Sequence, residues 1–483
     1  MARRTSWAVT LDRRPALMNP RFVPLVHALA ALVFHAALGC AHAPGPTASP
    51  PVVVLEGAHV FDGDAVSGPM TVVLEGERIR AVGPRGSLQV PAGARVVDYS
   101  GKTLIPGLIA AHSHVGNVSG VETGRRFYTR ENITRQLARY AEYGVTTVNS
   151  LGLNPPLFYS LKRELNGNAS GADLYGAGPG IGAPLGTPPA RGMGLEDDQV
   201  ARPETPEAAR AAVQDMARQG ADMVKLWVDS LGGSVPKLSP DIYRAAIDEA
   251  HRQGLRVFAH IHDLDDAKAL VEAGVDVLGH GVRDAPVDDA FVQAMKARGV
   301  WYIATINLDE ANYLYAEHPS WMDEPFFRAA VDPALQRRFD DATWRRETLA
   351  STGTEKSRKA VKLNQENLRT LHQAGVRIGF GTDSGAMPQR IPGFAEHREL
   401  ELMTQAGLTP AQALRAATRD SAELLGLKDR GAIAPGLVAD LVVLDADPTQ
   451  DIRNTRAIHA VWRRGVQVTR PAAPLDGQTV RPR

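Results

Sequence analysis

Short apolar, β-branched runs separated by turn words begin near Val52. Residues 52–55, 71–74, 78–82 and 95–98 read as strands, divided by Asp62-Gly63, Glu75-Gly76-Glu77 and Pro91-Ala92-Gly93. A matching set lies near the other end, at 440–444, 458–462 and 466–468. Neither set is large enough to bury a core alone. Residues 52–105 and 428–472 are therefore expected to pair into one small β-sandwich assembled from both ends of the chain.

Between them the period changes. Residues 108–114, 145–149, 172–175, 223–227, 256–260, 275–280, 301–304 and 377–381 read as strands, and helix-like segments separate them. Several strands follow a glycine at a helix end, as in Tyr143-Gly144-Val145, Gln253-Gly254-Leu255 and Ala374-Gly375-Val376. Eight such units over 106–427 predict an α/β fold, a (β/α)8 TIM barrel. Residues 308–366, rich in aromatic and charged side chains, are too long for an ordinary connection. They predict a helical insertion over the barrel mouth.

The first forty residues depart from this pattern. A start at Met18, an apolar run over 22–38 broken only by Pro24, His27 and His35, and a small-residue exit describe a secretory signal over 1–40. A spanning helix needs about 20 apolar residues, more than this run holds. Ala37-Leu38-Gly39-Cys40 resembles a bacterial lipobox, and Cys40 is the only cysteine, which excludes an internal disulfide. Cleavage after Ala41-His42-Ala43 is the competing reading. Residues 41–51 read as a Pro-rich tether and 473–483 as a flexible tail. The expectation is an exported protein of the bacterial periplasm or an outer-membrane lipoprotein, touching membrane only through Cys40.

Composition narrows the class without naming a chemistry. With 22% charged and 44% hydrophobic residues the chain is neither disordered nor an integral membrane protein. Lys+Arg and Asp+Glu both total 54, so nothing in the net charge points to nucleic acid.

Chemistry appears at the strand ends. In a barrel, reactive groups project from the C-terminal ends of strands. His112, His114, Lys225, His260, His280 and Asp383 all fall there. His112 and His114 are two apart on a strand and so point to one side. Each residue has a plainer reading by itself. A His-x-His pair is mostly incidental, His260 and His280 could be core histidines, and Asp383 could cap a helix. Lys225, between Val224 and Leu226, could pair with a buried carboxylate or reach the rim. A desolvated lysine can instead be neutral enough to react with CO2, and the resulting carbamate could bridge two divalent metals. Together the six read as one binuclear metal site.

The motifs Gly101-Lys102-Thr103-Leu104-Ile105-Pro106-Gly107-Leu108-Ile109-Ala110-Ala111-His112-Ser113-His114, Gly431-Ala432-Ile433-Ala434-Pro435-Gly436 and Ala439-Asp440-Leu441-Val442-Val443-Leu444-Asp445 resemble those of the amidohydrolase superfamily. The likeness is to its carboxylated-lysine, binuclear members related to Xaa-Pro dipeptidases (prolidases) and imidazolonepropionase-like hydrolases. It implies that His112, His114 and Asp383 bind the more buried metal, and His260 and His280 the more exposed one. Carboxylated Lys225 bridges them with a hydroxide. The hydroxide attacks the amide carbonyl, and Asp383 takes its proton as general base and returns it to the leaving nitrogen as general acid. Zinc suits the imidazole and oxygen donors best. A homo-oligomer is also expected.

Substrate choice is less legible. The loop Gly178-Pro179-Gly180-Ile181-Gly182-Ala183-Pro184 departs from the Gly-Gly-His ending of many relatives. His262, Arg283 and Arg390 are candidate substrate contacts, each equally readable as a solvated rim charge. The favoured substrate is a dipeptide-like compound, an N-acyl amino acid or a lactam. Aryl-amide (ochratoxin-like), organophosphate and lactone hydrolysis are alternatives on the same site, and a non-catalytic substrate-binding lipoprotein is the alternative of another class.

Overall fold

The computed structural model describes residues 51–468. The signal segment, Cys40, nearly all of the tether and the tail lie outside the described residues.

In chain order the first strands are β1 Val52–Phe61, β2 Val66–Glu75, β3 Arg78–Pro84, β4 Arg95–Asp98 and β5 Thr103–Pro106. Next come β6 Leu108–Ser113, a minute hairpin of β7 Val118–Ser119 and β8 Glu122–Thr123, β9 Val145–Leu151, β10 Asp173–Ala177 and β11 Met223–Trp227. β12 Arg256–His260, β13 Val277–Gly279, β14 Trp301–Ile303 and β15 Arg377–Ile378 follow. The last three are β16 Leu441–Leu444, β17 Ile458–Arg463 and β18 Val466–Val468.

The two chain ends meet by direct strand pairing. β5 lies parallel to β1 (Val60 opposite Leu104) and antiparallel to β16 (Val442 opposite Ile105). The expected small β unit is thus a single eight-stranded hydrogen-bonded sheet, ordered β18-β17-β16-β5-β1-β2-β3 with β4 on β1. Leu55, Val72, Leu74, Leu104, Leu441 and Trp462 form its own apolar cluster. Period-2 alternation along these strands puts their apolar side chains on that face.

A buried ionic knot ties this sheet to the rest. The fully buried Arg463 of β17 pairs with Asp440 and, at 3.2 Å, with Asp173 of β10. Arg430 donates to Asp173 Oδ2 at 2.8 Å and to Thr147 Oγ1 of β9 at 2.9 Å.

The eight predicted parallel strands are present as two sheets, β10-β9-β6 and β11-β12-β13-β14-β15. β9 and β11 are buried along their whole length, as strands covered on both faces must be. Backbone hydrogen bonds join the two sheets at both ends. Ala111 N donates to Phe380 O at 2.8 Å and Thr382 N to His112 O at 3.0 Å. On the other side Ile181 N donates to Lys225 O at 2.8 Å, and Trp227 N to Ile181 O at 3.0 Å. Because all eight strands run the same way, their C-terminal ends share one face.

Helices fill the intervals where the glycine signals place them. Pro206–Gln219, for example, starts at Thr205, whose side chain accepts from Ala208 N, and ends at Gly220 with φ 92. The segment 308–366 is helical, but its fit to the expectation is partial. Tyr315 stacks on Phe339 with ring centroids 4.4 Å apart, and Trp321, Phe327 and Phe394 close an aromatic cluster around them. Only Leu308, Asp309, Ala311 and Asn312 of this segment line the cavity described below. Its last helix, Thr352–Gln373, runs through residue 366 unbroken and buries Leu368 and Leu371 in the main core. Among the described residues no helix is long and apolar enough to cross a membrane.

Candidate metal centre

The predicted residues converge. Asp383 Oδ1 lies 3.0 Å from His114 Nε2 and 3.3 Å from His112 Nε2. The His112 ring sits 4.4 Å from that of His280, and His280 sits 4.5 Å from His260. One ligand atom each from His112, His280 and Asp383 fall within 4.8 Å of one another. Lys225 is completely buried on β11, two positions before Trp227, which pairs with His260 on β12. Its charge acts on His112, His260 and His280, so it belongs to the same cluster. Asp383 starts no helix: the next one begins at Phe394.

Burial sets the protonation states. It drives the His112 pKa down to about 3, with Lys225 pushing the same way and Asp383 opposing. His260 and His280 are lowered for the same first reason, His280 well below the usual range. Burial pulls Lys225 from 10.5 to about 7, opposed by Asp383. Burial would raise Asp383, but Arg390 and the adjoining imidazoles of His112 and His114 hold it well below the ordinary carboxylate range. At neutral pH the cluster therefore presents neutral imidazoles at His112, His260 and His280, one carboxylate and a lysine partly in its amine form. Those are the protonation states that metal ligation requires.

Both ring nitrogens of His112, Nδ1 of His114 and Nζ of Lys225 are buried with no hydrogen-bond partner. Buried polar atoms without partners are costly. A cation held by these lone pairs would satisfy the imidazoles, and a carbamate would give Lys225 a role that its unpaired amine lacks. The donor set fits.

Outer partners orient two of the rings. His260 Nε2 lies 3.0 Å from Asp229 Oδ2, leaving Nδ1 for other use. His280 Nδ1 lies 2.8 Å from Thr305 Oγ1, leaving Nε2. Sequence reasoning missed both partners. Asp229 carried a signal, since it follows Lys225 by four residues at the same strand end. Burial raises its pKa, but the contact with His260 outweighs that and keeps it anionic.

Above the cluster is a cavity of about 400 Å³, floored by His114, His280 and Asp383. Leu153, Met193, Trp227, Leu308 and Met387 make an apolar wall, and His262, Arg283 and Arg390 also line it. Arg283 is buried, with Nη1 on Asp309 Oδ2 at 3.2 Å, Nη2 on Ile261 O at 3.1 Å and Nε without a partner. Arg390 donates to Asp383 Oδ2. His262 is half-exposed, with Nδ1 2.7 Å from Asp263 Oδ1. From the loop after β10, Thr187, Pro188 and Pro189 reach the cavity, and Thr187 Oγ1 donates to Asp229 O at 2.9 Å.

Parallel strands with metal-binding side chains at one end define a metal-hydrolase type of architecture, and comparison with known proteins gives it a family. Residues 103–468 match the amidohydrolase family, and the chain belongs to it. It is an enzyme that hydrolyses carbon–nitrogen bonds. A protein of Mycobacterium tuberculosis is 28% identical over 381 residues, 76% of this chain and 85% of its own. The ochratoxinase of Aspergillus niger is 26% identical over 290 residues, 57% of this chain and 52% of its own. A crystal structure of a Xaa-Pro dipeptidase with methionine in its active site superposes with a TM-score of 0.68. That pair is 23% identical and covers 86% of this chain and 99% of the other, a likeness of fold. Family membership removes the reading as a non-catalytic binding protein.

Proposed function

We propose that this enzyme is a binuclear metal-dependent amidohydrolase acting on small amides that carry an apolar group and a carboxylate, such as N-acyl amino acids, dipeptides or lactams. The observation that carries it is the convergence of His112, His114, Lys225, His260, His280 and Asp383 beneath one cavity. The eight strands, hydrogen-bonded at both sheet junctions, are read as one closed (β/α)8 barrel.

His112, His114 and Asp383 would hold one divalent cation, and His260 through Nδ1 and His280 through Nε2 the other. The neutral amine of Lys225 could add to the carbon of CO2 and lose a proton, and the resulting carbamate would supply an anionic ligand to the metal centre. When bound, the two cations, zinc by the donor types, supply Lewis acidity and a more acidic water. Asp383 would accept a proton from the attacking water and deliver it to the leaving nitrogen. Its carboxylate stays anionic because Arg390 and the imidazoles stabilise its charge. Arg283, which lines the cavity and is held by Asp309 and Ile261 O, is the candidate partner of a substrate carboxylate.

The apolar wall around Trp227, Leu153 and Met193 also suits a flat aromatic acyl group, so aryl amides are the second reading. Export through the 1–40 segment, with a lipid on Cys40, and a homo-oligomeric state complete the proposal.

The test is metal analysis followed by a hydrolysis screen. About two equivalents of transition metal per chain and amine release from N-acyl amino acids, Xaa-Pro dipeptides or lactams support it. A carefully prepared, folded chain with no metal requirement would sink it.

A further inference from the structure

Two residues of the candidate centre, Asp383 at φ 60 and His280 at φ 144, and Thr305 at φ 46, which contacts His280, have positive φ without being glycine. Such backbone is unfavourable and persists only where its surroundings over-determine it. One helix, Phe394–Gln405, supplies that support to two separate turns.

Glu396 and Glu399 are three apart on this helix, hence on one face, and both are buried at 0% and 1% exposure. Glu396 Oε1 accepts from Thr382 Oγ1 and Ser384 Oγ, each at 2.7 Å. These hydroxyls belong to the residues immediately before and after Asp383. Its Oε2 accepts Gly393 N at 2.8 Å, which caps the helix and accounts for one oxygen only. Ser384 Oγ also lies 2.6 Å from Tyr140 OH. Glu399 takes the second turn. Its two oxygens accept Ile306 N at 2.8 Å and Asn307 N at 2.7 Å, the amides that follow Thr305. Thr305 Oγ1 in turn meets His280 Nδ1. Arg398, between the two acids, donates to Glu310 Oε2 at 2.9 Å and pins the far end of the same turn.

Helix stability does not ask for this. Two buried acids with neutral donors are expensive, and an apolar pair would pack as well. Their acceptor oxygens are spent on the two turns that carry Asp383 and Thr305.

We propose that Glu396 and Glu399 are positioning residues that hold Asp383 and, through Thr305, His280 in their left-handed turns, so that affinity at the metal centre depends on this helix. The inference rests on the metal reading above. Glu399→Gln puts an NH2 group against a backbone N–H and breaks the brace with little change of volume. Glu396→Gln leaves one oxygen for the hydroxyls but sets its amide against Gly393 N. Thr305→Val removes only the hydroxyl beside His280, and Thr382→Val only one of those beside Asp383. Leu402→Ala, a buried apolar position on the same helix, is the control.

Zinc affinity is measured on metal-stripped protein by competition with a coloured chelator, with near-ultraviolet circular dichroism to confirm folding. Glu399→Gln and Thr305→Val are expected to weaken one of the two zinc equivalents by about 10- to 100-fold. Glu396→Gln and Thr382→Val should weaken the other, and Leu402→Ala should lower the melting temperature with zinc affinity nearly unchanged. Should either glutamate variant fail to fold, the two threonine variants decide. Threonine variants that bind like the parent, or a Leu402→Ala chain weakened as much as they are, overturn the inference alone. A folded parent that binds no zinc overturns the metal reading and this inference with it.

Discussion

Asp229 Oδ2 lies 3.0 Å from His260 Nε2, joining the ends of two neighbouring parallel strands. This contact occupies Nε2 of the His260 ring and leaves Nδ1. Asp229→Ala should release the ring and weaken one metal equivalent by about 10- to 100-fold while the other stays bound. Zinc titration of the stripped variant checks it, and two unchanged equivalents would argue against the orienting role.

Lys225 is the next lever. Lys225→Ala should abolish hydrolysis and lower the retained metal, because the anionic bridge is gone. A short carboxylic acid such as propionate should restore part of the rate by occupying the space of the missing carbamate. Wild-type activity in the variant would refute the bridging role.

The same residue predicts a pH dependence. Burial places its pKa at about 7, so the amine that reacts with CO2 grows as pH rises through neutrality, where an ordinary lysine would wait for about 10.4. Metal-free protein in 13C-bicarbonate should show a carbamate resonance that rises through this range and is missing in Lys225→Ala. Without CO2 the linkage has a definite sign. Between about pH 7 and the unfolded value the unfolded chain binds more protons at this site, so stability contributed here rises with pH. Chemical denaturation of the CO2-free, metal-free chain at a series of pH values reads it, with Lys225→Met as the reference.

Arg283→Met should act on binding more than on chemistry. A charge-assisted hydrogen bond is worth about 1.5–3 kcal/mol, so KM for carboxylate-bearing substrates should rise by about ten- to a hundredfold with kcat little changed. Neutral amide analogues should be affected less. Equal losses on both kinds of substrate would remove the anchoring role.

Arg463→Met tests the knot between the sheet and the parallel strands. It would take the ion pair from the buried carboxylate of Asp440, while Asp173 keeps Arg430 and Arg464. Breaking such a group by removing one partner costs about 3–5 kcal/mol. The denaturation midpoint should fall clearly while the zinc affinity of the folded fraction holds.

The strands and the strand-end histidines were legible in the sequence for a physical reason. Parallel strands buried on both faces are continuous apolar runs, so a His, Lys or Asp at the end of one stands out, as in Val-Lys225-Leu or Ala-His260-Ile. His112 and His114 could be put on one side by the two-residue pleat alone. The pairing of the two chain ends was legible too, because neither set of strands could bury its apolar face alone. Direct pairing of β5 with β16 was not, since register between distant strands is a tertiary fact.

What only the folded chain decided is the support around the cluster. Glu396 and Glu399 read in sequence as charges on an ordinary helix, and nothing local marks them as buried. Their partners lie 14 and 93 residues away for Thr382 and Ile306. Thr305 likewise meets His280 across 25 residues. Residue types and strand periodicity thus determined which groups could bind metal and on which end of the strands they stand. Long-range packing decided which nitrogen of each ring is free, how far burial lowers Lys225, and which helix holds the turns, because hydrogen-bond geometry and desolvation exist only once distant segments are brought together.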